Sequence, residues 1–306
     1  MNVFYSIAET SGKILRAVIT TGSFDGVHVG HKAIINRLNL LASDIGGQSA
    51  LITFHPHPRK VLYPNQTDLR LIHSQEEKIH LLGTTGLQNL IILPFSKEFS
   101  TTSSYDFVSK ILVEQFQVKV VVVGINHHFG HNRQGDFAYL HQLGETFGFK
   151  VEEIPLHDIE NETVSSTKIR KALTEGNIQR ANAYLDHPYI ISGFMGLKDL
   201  EALPGIPFLS VEVAEEEKLI PPPAFYATNM QCEGKLIKAI TVVAPTNNGH
   251  QPGVFTHLIE GKPQPATARG TLFFHKKLMD LTSPSERMID LRQFEQAKEL
   301  AEELLY

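Results

Sequence analysis

Between residue 16 and about residue 186 short apolar runs alternate with stretches of helical spacing, and few architectures accept that alternation. The runs LITFHP, NLIILPF, VKVVVVG and KVEEIPL read as strands, and the stretches that start at His31, Ser74, Ser104 and Asp136 read as helices. Strand then helix, repeated, predicts a mostly parallel sheet covered on both faces. VVVVG lacks polar alternation and is expected to be a central strand, since burial on two sides removes the need for it. In open sheets of this kind ligands lie outside the carboxyl ends of the strands, where strand order reverses. Every polar cluster described below follows an expected strand.

The character of the chain shifts after Leu185-Asp186-His187-Pro188. Runs such as AITVVAPT and GTLFFHKKL, with Gly and Pro between them, predict a second, all-β domain closed by the helix RQFEQAKELAEELL. The expected domains are therefore 1–186 and 187–306. A net charge of −5 without a basic block leaves no nucleic-acid footprint, so any phosphate chemistry belongs to a local pocket and the partner is a small molecule. Cys232 is the single cysteine, which excludes an internal disulfide framework. MNVFYSIAETSGK lacks a basic flank followed by an apolar core, and no run approaches membrane-spanning length. A cytoplasmic protein with no membrane partner is the resulting expectation, and the sequence leaves the oligomeric state open.

Residues 17 to 38, AVITTGSFDGVHVGHKAIINRL, form a β-branched run that breaks at Thr21-Gly22 and passes to a helix opening with His28-Val29-Gly30-His31. A glycine turn lets backbone approach a ligand, and the helix N-terminus offers N–H groups and a positive dipole end to an anion. The two imidazoles share one face of the first turn, which points to a nucleoside triphosphate. Two surface histidines at an ordinary strand-to-helix junction are the plainer alternative. No GxxxxGK(S/T) is present, because Ile7 precedes Gly12-Lys13 where a glycine would stand, and no GxGxxG follows the first strand.

A second cluster is VSSTKIRKAL, residues 164 to 173. Ser165 or Ser166 can cap a helix, and Thr167 with Arg170, three apart, forms a polar wall ending in a planar cation suited to phosphate. An ordinary capped surface helix is the alternative. Thr53-Phe54-His55-Pro56-His57-Pro58 reads as a strand end stopped by prolines, a stiff ledge for a planar ring or simply a turn. His127, His128 and His131 invite a zinc reading, but Gly130 and the lack of a nearby carboxylate or cysteine at ligand spacing argue against it, so no metal site is assigned.

The HxGH and SSTxIR blocks resemble the nucleotidyltransferase superfamily. More closely, GSFDGVHVGH (22 to 31), TFHPHPRKVL (53 to 62), VVVGINHHFGHNRQGD (121 to 136) and SSTKIR (165 to 170) resemble, in order, the FMN adenylyltransferase module of the bifunctional riboflavin kinase/FAD synthetase family. The resemblance implies a Rossmann-like nucleotidyltransferase sheet followed by a smaller riboflavin-kinase-like barrel. It implies transfer of AMP from ATP to FMN, with Mg²⁺ arriving with ATP. In that picture His28, His31 and Arg170 are catalytic. Ser165, Ser166 and Thr167 join Arg170 on the β and γ phosphates, Gly22, Phe24, Asp25 and Gly30 shape the ATP-binding turn, and Pro56, His57, Pro58, Asn126, Phe129 and Arg133 hold the flavin.

The resemblance weakens after residue 187. The family's kinase domain carries a glycine-arginine pair and then GFPTAN, whose threonine and asparagine are expected to hold Mg–ATP. Here Glu201-Ala202 replaces the pair, Phe208 the threonine and Ser210 the asparagine. A phenyl ring in place of an oxygen ligand removes coordination and fills the space, which implies a barrel without kinase activity. A nucleotidyltransferase with another acceptor and a non-catalytic nucleotide-binding paralogue are the competing readings.

Overall fold

The computed structural model describes residues 1–65, 69–125, 127–155, 158–159, 162–200, 203–245, 251–260, 268–281 and 289–305. Its N-terminal apolar runs form β1 (Asn2–Phe4), β2 (Ala17–Thr21), β3 (Gln48–His55), β4 (Asn89–Pro94), β5 (Val120–Gly124) and β6 (Lys150–Ile154). They make one sheet in the order β1-β4-β3-β2-β5-β6, with every pairing parallel. Crossovers carry α1 (Val29–Asp44), α2 (Pro58–Leu62), α3 (Gln75–Gly83), α4 (Lys97–Ser100), α5 (Ser104–Asp106), which continues as a π-helical stretch over Phe107–Gln115, and α6 (Phe137–Phe147). A two-residue pair, β7 (Asp158–Ile159) with β8 (Glu162–Thr163), follows.

Alternate residues of the strands feed two cores. Ala17, Ile19, Ala50, Ile52, Ile91, Leu93, Val121 and Val123 pack with Phe107, Val108, Leu140 and Leu143 on one face. Val18, Leu51, Leu90, Ile92, Val120 and Val122 pack with Ile35, Leu38 and Leu82 on the other. Burial on both faces is why these strands read as continuous apolar runs. It does not fix lateral position: β3 and β2 occupy the middle of the sheet, whereas VVVVG is an interior strand one removed from the edge strand β6. Strand order reverses between β2 and β5, and the carboxyl ends of those two strands flank the crevice where open α/β sheets take ligands.

By compactness, residues Met1–Leu69 and Lys78–Val164 form one unit, and Arg70–Glu77 with Ser165–Tyr306 form the other. The composition change after Asp186 marks the first barrel strand rather than this division. Helices α7 (Ser166–Thr174) and α8 (Ile178–Leu185) group with the barrel, where Asn182 of α8 donates to the Phe274 carbonyl at 2.8 Å and accepts from the Tyr189 N–H at 2.7 Å.

The second unit contains β9 (Tyr189–Asp199), β10 (Pro207–Glu212), β11 (Ala224–Cys232), β12 (Lys235–Ala244), β13 (Gly253–Leu258), β14 (Ala268–Asp280) and α9 (Leu291–Leu304). The strands close into an antiparallel barrel, β10-β13-β12-β11-β14-β9, which leaves no edge. Glu233 (φ 48°) and Gly234 (φ 78°) turn β11 into β12, the left-handed pair that a two-residue hairpin requires. Phe294, Ala297 and Ala301 of α9 pack on Phe208, Phe225, Ile240 and Phe255. The Arg70–Glu77 segment belongs here through paired backbone bonds, Leu71 N–H to the Glu217 carbonyl (2.7 Å) and Leu219 N–H to the Leu71 carbonyl (2.8 Å).

Candidate active site

Strand β2 is buried throughout and leads directly into the turn that carries His28 and His31. Phe24 (φ 47°) and Val27 (φ 23°) take left-handed backbone, uncommon for such residues and characteristic of functional turns. His28 then opens α1 as its N-cap, its Nδ1 accepting the His31 N–H at 3.4 Å. The two imidazoles stack with centroids 3.7 Å apart and planes 17° apart, and the Phe24 ring stacks on His31 at 4.4 Å. Both glycines of the motif make room for rings. A Cβ at Gly22 would lie 3.1 Å from the Phe24 ring, and one at Gly30 would lie 3.3 Å from the His28 ring.

Burial sets the charge state of these rings. It pushes His28 down to about 4 against the opposing pull of buried Asp25. Burial also carries His31 well below the ordinary imidazole value, helped by His28 and Lys78. The pair is therefore neutral near pH 7 and offers hydrogen-bonding groups rather than cations. Among the described residues His31 Nδ1 is buried with no hydrogen-bond partner, a rare condition in a folded protein.

Two further groups shape the turn without a signal in the motif. Lys78, buried, donates from Nζ to the Ser23 carbonyl at 3.1 Å, and Thr53 donates to the same carbonyl at 3.2 Å. Across the reversal point, Thr21 Oγ1 lies 3.5 Å from His127 Nε2, and burial pushes His127 down to about 4. Lys78 sits in SQEEK, which reads as a solvated helix start, so its burial was not legible.

The expected flavin residues share the first unit but not one role. Pro56 is exposed. His57 caps α2, accepting the Arg59 N–H at 3.2 Å, and Pro58 takes the first helical position, where a missing N–H costs nothing. Arg133 is exposed, with left-handed backbone (φ 57°) and its guanidinium 3.3 Å from His128 Nδ1. Phe129 is buried in the core and exchanges both backbone hydrogen bonds with Gly135. Asn126 lies outside the described residues. The rings of Phe54 in β3, Phe95 just after β4 and Phe99 in α4, 5.6 to 5.8 Å apart, form an aromatic cluster that the motifs did not single out.

In the second unit Ser165 caps α7, accepting the Lys168 N–H at 3.4 Å, which is the plain role weighed for it. Ser166 is half-buried at the first helical position and Thr167 is exposed. Ile169, Ala172 and Leu173 bury the opposite side of α7. Arg170 donates from Nε to the Arg70 carbonyl at 2.8 Å, so its guanidinium is oriented by a main-chain oxygen.

A family model described as FAD synthetase matches residues 12–168. A bifunctional riboflavin kinase/FMN adenylyltransferase from Pseudomonas fluorescens is 31% identical over 268 residues, covering 86% of this chain and 85% of that protein. The protein of that name from Listeria monocytogenes is 31% identical over 72% of this chain and 70% of its own. A solved Streptococcus pneumoniae chain described as a macrolide-efflux protein superposes with a TM-score of 0.85 over 99% of this chain and 98% of its own at 20% identity, which shows a shared fold. Among the described residues no helix is long and apolar enough to cross a membrane. A neutral, stacked histidine pair at a sheet reversal point is thus found in a chain that belongs to the FAD synthetase family.

Proposed function

We propose that this chain transfers AMP from ATP to the terminal phosphate of FMN, giving FAD and pyrophosphate, and that its barrel does not phosphorylate riboflavin. The observation that carries the first part is the His28–His31 pair, two neutral imidazoles presented at the N-terminus of α1 beside the crevice between β2 and β5. In this reading an FMN phosphate oxygen attacks the α-phosphorus as its bond to pyrophosphate breaks, with no covalent enzyme intermediate. Imidazole N–H groups and the helix N-terminus stabilise charge at the α-phosphate. Ser165, Ser166, Thr167 and Arg170 hold the β and γ phosphates. Mg²⁺ enters with ATP as part of that substrate, using phosphate oxygens and water, and Asp25 is the buried carboxylate that the turn offers it.

The flavin is assigned to Pro56, His57, Pro58 and Arg133, with Asn126. Phe129 acts from the core by fixing their loop. Loss of kinase activity is supported by Phe208, fully buried in the barrel with its ring 5.6 Å from Phe294 and 5.7 Å from His257, where the family pattern has a threonine. Purified protein is incubated with Mg–ATP and either FMN or riboflavin, and the flavins are separated. FAD from FMN and no FMN from riboflavin is the expected result. Absence of FAD overturns the transferase assignment, and phosphorylation of riboflavin at a comparable rate overturns the kinase-loss assignment.

A further inference from the structure

We infer that His131 is a positioning residue for the flavin acceptor, because its ring and its main chain together clamp the loop that carries Arg133. The inference rests on the flavin assignment above and adds to it what holds Arg133 in place. Phe129 and Gly135 exchange both backbone bonds at 3.0 Å, which closes residues 130–134 into a loop beyond β5. Gly130 (φ 74°), Asn132 (φ 52°) and Arg133 (φ 57°) all take left-handed backbone. Glycine does so freely, but two consecutive residues with a Cβ do so only where contacts outside the loop over-determine them. His131 makes two such contacts. Its N–H donates to the Thr102 carbonyl at 2.9 Å, and its ring Nδ1 lies 3.0 Å from the carbonyl of Ser100, the last residue of α4. A carbonyl only accepts, so Nδ1 carries the proton in this contact. From the same segment Ser104 Oγ donates to the Phe129 carbonyl at 3.2 Å. A Cβ at Gly130 would lie 2.6 Å from the Ser104 N and Cα, so the loop rests directly on this backbone.

The consequence concerns the acceptor rather than ATP. Arg133 is exposed, with its guanidinium 3.3 Å from His128 Nδ1. Where that head group stands follows from the main chain at 132 and 133, and a planar fork of donors tolerates little misplacement. If the clamp opens, the loop relaxes toward ordinary φ values and the Arg133 side chain swings off its position. The bonds of the clamp join residues 129 and 131 to residues 100, 102 and 104, none of which belongs to the β2–α1 turn. Loss of the clamp therefore weakens the hold on the flavin nucleotide and spares the groups assigned to ATP.

Three substitutions separate the donor from the ring. His131→Asn keeps an N–H two bonds from Cβ, as Nδ1 is; His131→Phe keeps a ring without a donor; His131→Ala removes both. KM for FMN, KM for ATP and kcat are measured for each, FMN binding is titrated by flavin fluorescence without ATP, and folding is checked by circular dichroism. KM and the dissociation constant for FMN are expected to rise about tenfold in the Phe and Ala variants, with KM for ATP within about twofold of the parent. His131→Asn is expected to recover most of the loss. Arg133→Ala is expected to weaken FMN binding by itself and to add little in the His131→Ala background, since both changes remove the same contact. A general structural role predicts instead that KM for ATP rises in step or that the two losses multiply in full, and either result overturns the inference. So does FMN binding that is unchanged in His131→Phe. Where His131→Ala does not fold, the Phe and Asn variants carry the comparison, and the cycle is built on His131→Phe. A parent that binds FMN but makes no FAD overturns the transferase reading alone, and the titration still decides the role of His131. A parent that binds no FMN overturns both.

Discussion

His28 accepts the backbone N–H of His31 at 3.4 Å while the two rings stack at 3.7 Å, so one side chain both ends the β2–α1 turn and supports its partner. Capping and chemistry are therefore separable by substitution. Asparagine is as good a cap as any residue, and alanine is a poor one. His28→Asn is expected to keep the urea unfolding midpoint near that of the parent while FAD formation falls by roughly 10²-fold or more, the scale of losing one transition-state donor. His28→Ala is expected to show the same loss of activity and about 1 kcal/mol of lost stability besides.

His31→Ala removes the ring whose Nδ1 is buried without a partner and which carries the Phe24 stack. The residue lies in the first turn of α1, outside the apolar clusters that hold the sheet. A folded protein with FAD formation reduced by about 10²-fold or more is expected. An unchanged rate removes His31 from the catalytic machinery.

Gly30→Ala sets helix propensity against ring placement. Alanine in the first turn of a helix gains up to about 1 kcal/mol over glycine. Its Cβ, however, would meet the His28 ring at 3.3 Å, tighter than ordinary contact. Equal or higher thermal stability together with roughly tenfold slower turnover is the expected split, read by a melting curve and by the flavin assay on the same sample.

What was legible in the sequence followed from local rules. The strand and helix alternation survived because each strand is buried on both faces, and Asp136 does begin a helix, its carboxylate accepting the Tyr139 N–H. The histidine pair was legible from its spacing, although His28 caps α1 from extended backbone and meets His31 through the capping bond rather than from within the first turn. The neutrality of the pair was not, since it arises from burial under Phe24 and the neighbouring elements. Nor was Lys78, whose partner Ser23 lies 55 residues away. Phe129 was read as a flavin contact from its motif, yet its ring packs in the core, where it and Phe107 lie 6.3 Å apart. Composition placed a boundary where the first barrel strand begins, because it cannot register that Arg70–Glu77 crosses to pair with residues near Lys218.

The low value of His28 fixes the sign of a pH effect. The unfolded ring takes up its proton near 6.5, whereas the folded ring resists it until about 4, so the unfolded state binds more protons between those values. The stability it lends is fully present above about pH 6.5 and is lost as pH falls through about 4. His127, also lowered to about 4, acts in the same direction. Urea midpoints at pH 5 and pH 7.5 are expected to differ less in His28→Asn than in the parent, and equal differences would refute the neutral assignment. Turnover should show no acid limb near pH 6.5 from the pair.

Glu77 and Lys218 form an ion pair whose side chains are both wholly buried, with Nζ 2.6 Å from Oε2. Every bond needed to keep such a pair inside is present. Lys218 also donates to the Ile72 and Ile190 carbonyls at 2.7 and 2.8 Å and lies 4.3 Å from the Tyr189 ring centroid. Glu77 accepts the N–H groups of Ser74 and Ser192 at 2.9 and 2.7 Å, and its own N–H returns to Ser74 Oγ as a capping box. Removing one charge strands the other in a dry site, so Lys218→Met is expected to cost about 3–5 kcal/mol in urea denaturation. Adding Glu77→Gln should return part of that loss, because an amide costs less to bury than an unpaired carboxylate. If the double variant is no more stable than Lys218→Met, the pair is not coupled as the geometry requires.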